Sequence, residues 1–233
     1  YHDFDKFPHM LIGGVTRFGK TVFLKQLLYT LISSQPENLN MFILDLKGGL
    51  EFGRYFTFPQ VKALATDVFE AEKVLEYIVE EIKMQQQNFR KSGYTNIVDT
   101  PIKKRTFIIV DEGAELAPSY VKEGKKEAMN CQTHLSTIAR IGGGLGYRLI
   151  YCTQYPTVKS VDMSVKMNIV ARLSFIAVSQ IASRVILDEV GAEELPSIPG
   201  RALYKIEKSR TVQVPCIDDD YIFIQLIENK ISK

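Results

Sequence analysis

Gly14-Val15-Thr16-Arg17-Phe18-Gly19-Lys20-Thr21 is the stretch from which the rest of the chain can be read. It has the spacing G-x-x-x-x-G-K-[ST], follows the apolar run Met10-Leu11-Ile12, and is continued at helical spacing by Val22, Phe23, Leu27, Leu28 and Leu31. Strand, glycine-rich turn and helix in that order make a phosphate-binding loop. The glycines let successive backbone N–H groups turn inward, and the helix N-terminus adds its partial positive charge. In such a loop Gly14, Val15, Thr16, Arg17, Phe18, Gly19, Lys20, Thr21 and Val22 surround the nucleotide. Lys20 bridges the β- and γ-phosphates of ATP, and Thr21 offers its hydroxyl to Mg²⁺. At roughly 7% glycine a random chain of this length carries the pattern on the order of one time in a hundred, and the flanking strand and helix make chance rarer still.

Working outward, Met41-Phe42-Ile43-Leu44, Phe107-Ile108-Ile109-Val110 and Leu149-Ile150-Tyr151-Cys152 are apolar on both sides of the pleat, as buried parallel strands are. Val74, Leu75, Ile78, Val79 and Ile82 recur at helical spacing between them. Alternating strands and helices predict an α/β fold with a mostly parallel central sheet flanked by helices. Further on, residues 169–176 read as a strand, 179–188 as a helix, and 203–206 with 211–214 as a late hairpin on the same sheet. The expectation is one domain over 1–233, with the late strands and a C-terminal helix, 200–233, as an appendage. Residues 88–104 and 117–126 read as loops with insertions, and no repeat or heptad pattern is present.

The 233 residues are 45% hydrophobic, enough for a sizeable core, and 29 Lys plus Arg against 27 Asp plus Glu leave a formal charge of +2. Bulk charge therefore announces no polyanionic partner, and any such binding must come from a local patch. Cys131, Cys152 and Cys216 are widely spaced with no CxxC, which argues for a reducing compartment and against zinc or a disulfide framework. His2, His9 and His134 are scattered and suggest neither a metal site nor a general base. No apolar run approaches the roughly 20 residues of a membrane span, and the N-terminus lacks the pattern of an export signal, so a cytoplasmic, soluble chain is expected. The chain opens without Met and soon enters an apolar segment, as a piece cut at a domain boundary would; an upstream membrane anchor is compatible with that.

A second chemical signal is Val110-Asp111-Glu112, a strand ending in two carboxylates. A parallel strand delivers its C-terminal residues to the sheet edge that carries the phosphate loop. There Asp111 would hold Mg²⁺ and Glu112 would act as general base on the attacking water, although strand-end acids also cap the next helix. Thr153-Gln154 closes another strand, and Gln154 either contacts the γ-phosphate or lytic water or is a surface turn before Pro156. Asp45 and Lys47 end a strand beside the phosphate loop, to position nucleotide or to meet a neighbour; Phe52, Tyr55, Phe56 and Phe58 read as loop packing rather than base stacking.

In order, Gly14 to Thr21, Ile43-Leu44-Asp45-Leu46-Lys47-Gly48-Gly49, Val110-Asp111-Glu112 and Gly144-Leu145-Gly146-Tyr147-Arg148-Leu149-Ile150-Tyr151-Cys152-Thr153-Gln154-Tyr155-Pro156 resemble the motor domain of the FtsK/SpoIIIE family. Ser183-Arg184-Val185-Ile186-Leu187-Asp188, Gly191-Ala192-Glu193-Glu194-Leu195 and Pro199-Gly200-Arg201-Ala202 extend the resemblance, which runs from His9 to Ile206. Departures are Leu46 for the usual Pro, Arg17 and Phe18 for small residues in the loop, and Tyr147 ahead of Arg148. Nothing resembles the family's winged-helix or linker modules, which points to a relative serving a mobile element, such as a conjugation coupling protein.

The resemblance implies a RecA-like P-loop NTPase, an ATP- and Mg²⁺-dependent DNA pump working as a homo-hexameric ring with nucleotide at subunit interfaces. It implies an arginine supplied in trans, for which Arg140, Arg148, Arg172 and Arg184 are candidates and Arg172 is favoured. DNA would be met by channel loops: residues 157–166 with Lys159 and Lys166, which read equally well as a solvated charged loop, and the loop carrying Lys122, Lys125 and Lys126, which reads more readily as one. ESX-type secretion ATPases, which act on polypeptides, share these motifs and form the alternative; a nucleotide-regulated assembly module is a third.

Overall fold

The runs that are apolar on both faces become the centre of a sheet. In the computed structural model, which describes residues 1–154, 156, 157, 159–218, 220–223 and 225, these runs are β1 (Met10–Gly13), β2 (Leu39–Leu44), β4 (Arg105–Val110) and β5 (Tyr147–Thr153). With β3 (Val61–Ala65), β6 (Ala171–Phe175), β7 (Arg201–Lys205) and β8 (Ser209–Gln213) they form one sheet in the order β3-β2-β4-β5-β1-β6-β7-β8. Pairing is parallel from β3 to β6, while β7 and β8 are antiparallel additions.

Helices α1 (Lys20–Ser34), α2 (Val68–Ser92), α3 (Lys125–Thr137), α4 (Met163–Lys166) and α5 (Gln180–Leu187) connect them. Strand alternation sorts the layers. Leu11, Ile108, Val110, Leu149 and Tyr151 face one core with Leu75, Ile78, Ile82, Leu135 and Ile186 from α2, α3 and α5. Met10, Ile12, Ile43, Ile109 and Ile150 face the other, packed on Leu24 and Leu28 of α1 and on Phe52, Tyr55 and Phe58. Each fully buried leucine contributes roughly 1.5–3 kcal/mol, so the sheet is held from both sides. Phe52, Tyr55 and Phe58 are thus loop packing, as anticipated, while Phe56 is exposed.

Two sequence expectations need correction. The 88–104 segment is not loop at its start, because α2 runs to Ser92, capped at its start by the Asp67 carboxylate on Glu70 N–H and closed by Gly93 at φ 73°. The 117–126 segment ends in the first turn of α3, a helix that periodicity does not announce, and β3 is likewise unannounced. In the 200–233 appendage, 220–223 and 225 are helical, with the Phe223 ring 5.5 Å from that of Phe58. Positions 219, 224 and 226–233 of it lie outside the described residues, as do Tyr155 and Val158. Among the described residues no helix is long and apolar enough to cross a membrane.

Candidate active site

The phosphate loop is where β1 hands over to α1. Gly14 and Gly19 adopt φ 135° and 113°, and at Gly14 a Cβ would lie 2.6 Å from Cβ of Phe175, so both conformation and space require glycine. The loop is braced from outside: Val15 N–H donates to the Ile176 carbonyl (3.0 Å) and Gly200 N–H donates to the Phe18 carbonyl (2.9 Å). Of the two bulky departures, Phe18 is half-buried against the α1-side core and Arg17 is exposed at φ 69°. The first turn of α1 has no acidic residue and no side-chain cap, which leaves its positive end uncompensated. A cleft of about 650 Å³ beside the loop is lined by Val15, Thr16, Gln154, Ser179 and Ile181, among others.

Strand order then assembles the chemistry. β5 lies between β1 and β4, so Lys20 reaches past the end of β5 to the end of β4. Its Nζ donates to the Asp111 carbonyl (2.8 Å) and sits 3.6 Å from Asp111 Oδ1 and 3.8 Å from Glu112 Oε2. Asp111 and Glu112 are both fully buried. Among the described residues neither carboxylate oxygen of Asp111 has a hydrogen-bond donor, and a buried acceptor pair beside a phosphate loop fits a divalent cation. Thr21, in the first turn of α1, is the companion ligand expected from the motif.

Glu112 is held differently. Its Oε1 accepts from Thr153 Oγ1 (2.8 Å) and its Oε2 from the Gln154 N–H (2.9 Å). It also accepts from Ala114 N–H at 3.4 Å, so it caps the short turn Gly113–Leu116 as well. The carboxylate is thereby aimed by the end of β5 while remaining beside Lys20. Gln154 thus touches the acid pair through its backbone N–H, and, half-buried, it lines the cleft that Val15 and Thr16 of the phosphate loop also line.

Lys47 joins this group, although motif spacing gives it no definite role. Its Nζ is 3.9 Å from Asp111 Oδ2 and 3.9 Å from Glu112 Oε2. Asp45 is fully buried, and its Oδ2 accepts from Glu51 N–H (2.9 Å) and Phe52 N–H (2.8 Å) and so fixes the loop that carries Lys47. The sequence signals for Lys47 are its place after a central strand and within the family-like stretch Ile43 to Gly49; the contact itself depends on β2 pairing with β4.

The four arginines separate clearly. Arg148 is fully buried, bonded to the Gly143 carbonyl (2.7 Å) and to Asp5 (2.6 Å). Arg172, the favoured candidate, donates to the Ile186 carbonyl and pairs with Asp188 at 2.8 Å, tied down within its own subunit. Arg140 and Arg184 are exposed. Among the lysines, Lys166 is pinned by Asp188 (2.6 Å) and the Arg184 carbonyl, whereas Lys122, Lys125, Lys126 and Lys159 are exposed. The two lysine loops touch through Tyr120 Oη and Thr157 Oγ1 (2.9 Å).

Known proteins resemble this chain in sequence and fold. The signature of the FtsK/SpoIIIE family matches residues 1–106. A DNA translocase FtsK from Caldanaerobacter subterraneus subsp. tengcongensis is 31% identical over 204 residues, covering 83% of this chain and 27% of that protein. The chain thus spans about a quarter of the length of the curated relatives it matches. The structure of the pCW3 conjugation coupling protein TcpA, monomer form with ATPγS, superposes with a TM-score of 0.88 at 30% identity, covering 100% of this chain and 67% of that one. The cytoplasmic domain of the Type VII secretion ATPase EccC from Thermomonospora curvata gives 0.79 at 25% identity, over 94% of this chain and 28% of that one. With the phosphate loop, acid pair and sheet order already in place, these likenesses identify the fold as RecA-like and the chain as a P-loop ATPase that belongs to the FtsK/SpoIIIE family.

Proposed function

We propose that this chain is the motor domain of a DNA translocase, hydrolysing ATP with Mg²⁺ on the cytoplasmic side and working as a homo-hexameric ring in the conjugative transfer of a mobile element. The observation that carries the proposal is the convergence of Lys20, Asp111, Glu112 and Gln154 on one sheet edge, in a chain that matches a conjugation coupling protein along its whole length.

ATP would lie across residues 14–22, its β- and γ-phosphates taken by the loop amides and by Lys20. Asp111 and Thr21 would hold Mg²⁺, which when bound supplies charge neutralisation on the phosphate oxygens. Glu112, oriented by Thr153 and the Gln154 N–H, accepts the proton of the attacking water. Gln154 lies where loss of the γ-phosphate would be felt by the backbone that aims Glu112. For the arginine supplied in trans, exposure favours Arg184, within the family-like Ser183-Arg184 pair, over the buried Arg172. Lys159 and Lys122, on loops that touch, with Lys125 and Lys126, would face the DNA backbone, and Lys166 serves structure instead.

The test is steady-state ATP hydrolysis with long duplex DNA, single-stranded DNA or a polypeptide at two salt concentrations. Stimulation by DNA that fades with salt is the expected outcome. Indifference to DNA together with stimulation by polypeptide would favour the protein-secretion reading, which the likeness to EccC supports.

A further inference from the structure

Two carboxylates and two ammonium groups meet at the end of β4, and only one of the ammonium groups belongs to the phosphate loop. Lys47 is the other, at 3.9 Å from each acid. It does not arrive there by chance flexibility of a long side chain alone, because its loop is built: Asp45 caps the turn on the N–H groups of Glu51 and Phe52, and Gly48 and Gly49 stand consecutively at φ 79° and 74°. Among the described residues neither oxygen of Asp111 has a hydrogen-bond donor, and the ammonium groups of Lys20 and Lys47 are the positive charges beside the two buried acids.

We infer that Lys47 is a resident counter-ion which makes the site select metal–nucleotide over free metal. The inference rests on the ATPase reading of the site. With Lys20 and Lys47 both present the four groups come close to neutrality, and a free divalent cation finds little net attraction there. A metal–nucleotide complex, by contrast, is net negative and brings phosphates for both lysines. Lys47 is about one-third exposed, so incoming phosphate can reach it, whereas Asp111 and Glu112 are closed off. Removing its charge should therefore push the two affinities in opposite directions, a signature that simple damage to the loop would not give.

The experiment uses Mn²⁺ as the probe, followed by electron paramagnetic resonance, and a fluorescent non-hydrolysable ATP analogue in the presence of Mg²⁺. Relative to wild type, Lys47→Met should bind Mn²⁺ alone about tenfold more tightly and the Mg²⁺-bound analogue about tenfold more weakly. Lys47→Arg, which keeps the charge, should stay near wild type on both. The Mn²⁺ gained by Lys47→Met should vanish in the double variant with Asp111→Asn. Unchanged Mn²⁺ affinity in a folded Lys47→Met chain, or both affinities falling together, would overturn the role of Lys47 while leaving the ATPase reading standing. If Asp111→Asn alone leaves Mn²⁺ binding with the analogue untouched, the metal-site assignment fails and this inference fails with it.

Discussion

In the proposed mechanism Glu112 is the residue on which the chemistry turns, and its surroundings say how each neighbour should matter. Glu112→Gln keeps the size and most of the hydrogen bonds but cannot accept a proton. It should lower ATP turnover by at least about a hundredfold while nucleotide binding stays within about threefold, both measurable by coupled assay and equilibrium titration. Thr153 is fully buried and donates to Glu112, so in the proposed mechanism it is a positioning residue. Thr153→Val should reduce kcat by about tenfold with KM nearly unchanged, and Thr153→Ser, which restores the hydroxyl, should recover most of the loss. Lys20, Asp111 and Glu112 are legible in the amino-acid sequence because their motifs have fixed local spacing. Lys47 and Thr153 are not, since their contacts exist only once β2, β4 and β5 lie side by side. Motif position favours Arg172, and burial beside Asp188 is what that position does not reveal.

At the scale of elements, legibility follows burial. β1, β2, β4 and β5 are covered on both faces and therefore appear as unbroken apolar runs. β3 is an edge strand with Lys62 exposed in its middle, and α3 buries only Ala128, Cys131 and Leu135 among polar neighbours, so neither carries a strong pattern. The joint between β4 and the following turn is tight: at Gly113 a Cβ would lie 2.0 Å from the Tyr151 ring, whose hydroxyl donates to the Ser160 carbonyl. Gly113→Ala should thus displace the neighbouring Glu112 or the end of β5. An expected stability loss of about 1–3 kcal/mol would show in chemical denaturation, and turnover should fall with it. A fully stable and active Gly113→Ala chain would mean that this joint yields more readily than its packing implies.

For the whole molecule, acid stability depends on the residue that precedes β1. His9 is buried, and its Nδ1 accepts from the Leu149 N–H, which places the ring proton on Nε2 and keeps the ring neutral. Burial, with the nearby Arg148 charge adding to it, lowers its pKa from 6.5 to about 4. The unfolded chain therefore takes up this proton first as pH falls, so the His9 contribution is intact above pH 6.5 and is lost between there and about 4. The full loss is about 3 kcal/mol, and denaturation midpoints at pH 7, 5.5 and 4.5 should trace it. His9→Asn, whose side-chain oxygen can accept the same N–H, should flatten that slope. The order β4-β5-β1 also bears on how the protein is made. Lys20 and Asp111 meet across a strand that the ribosome delivers only after both of them, so a nascent chain can have its phosphate loop and its acid pair and still lack a working pocket. Stabilisation by ATP through the assembled pocket therefore depends on the span 147–153 taking its place in the centre of the sheet.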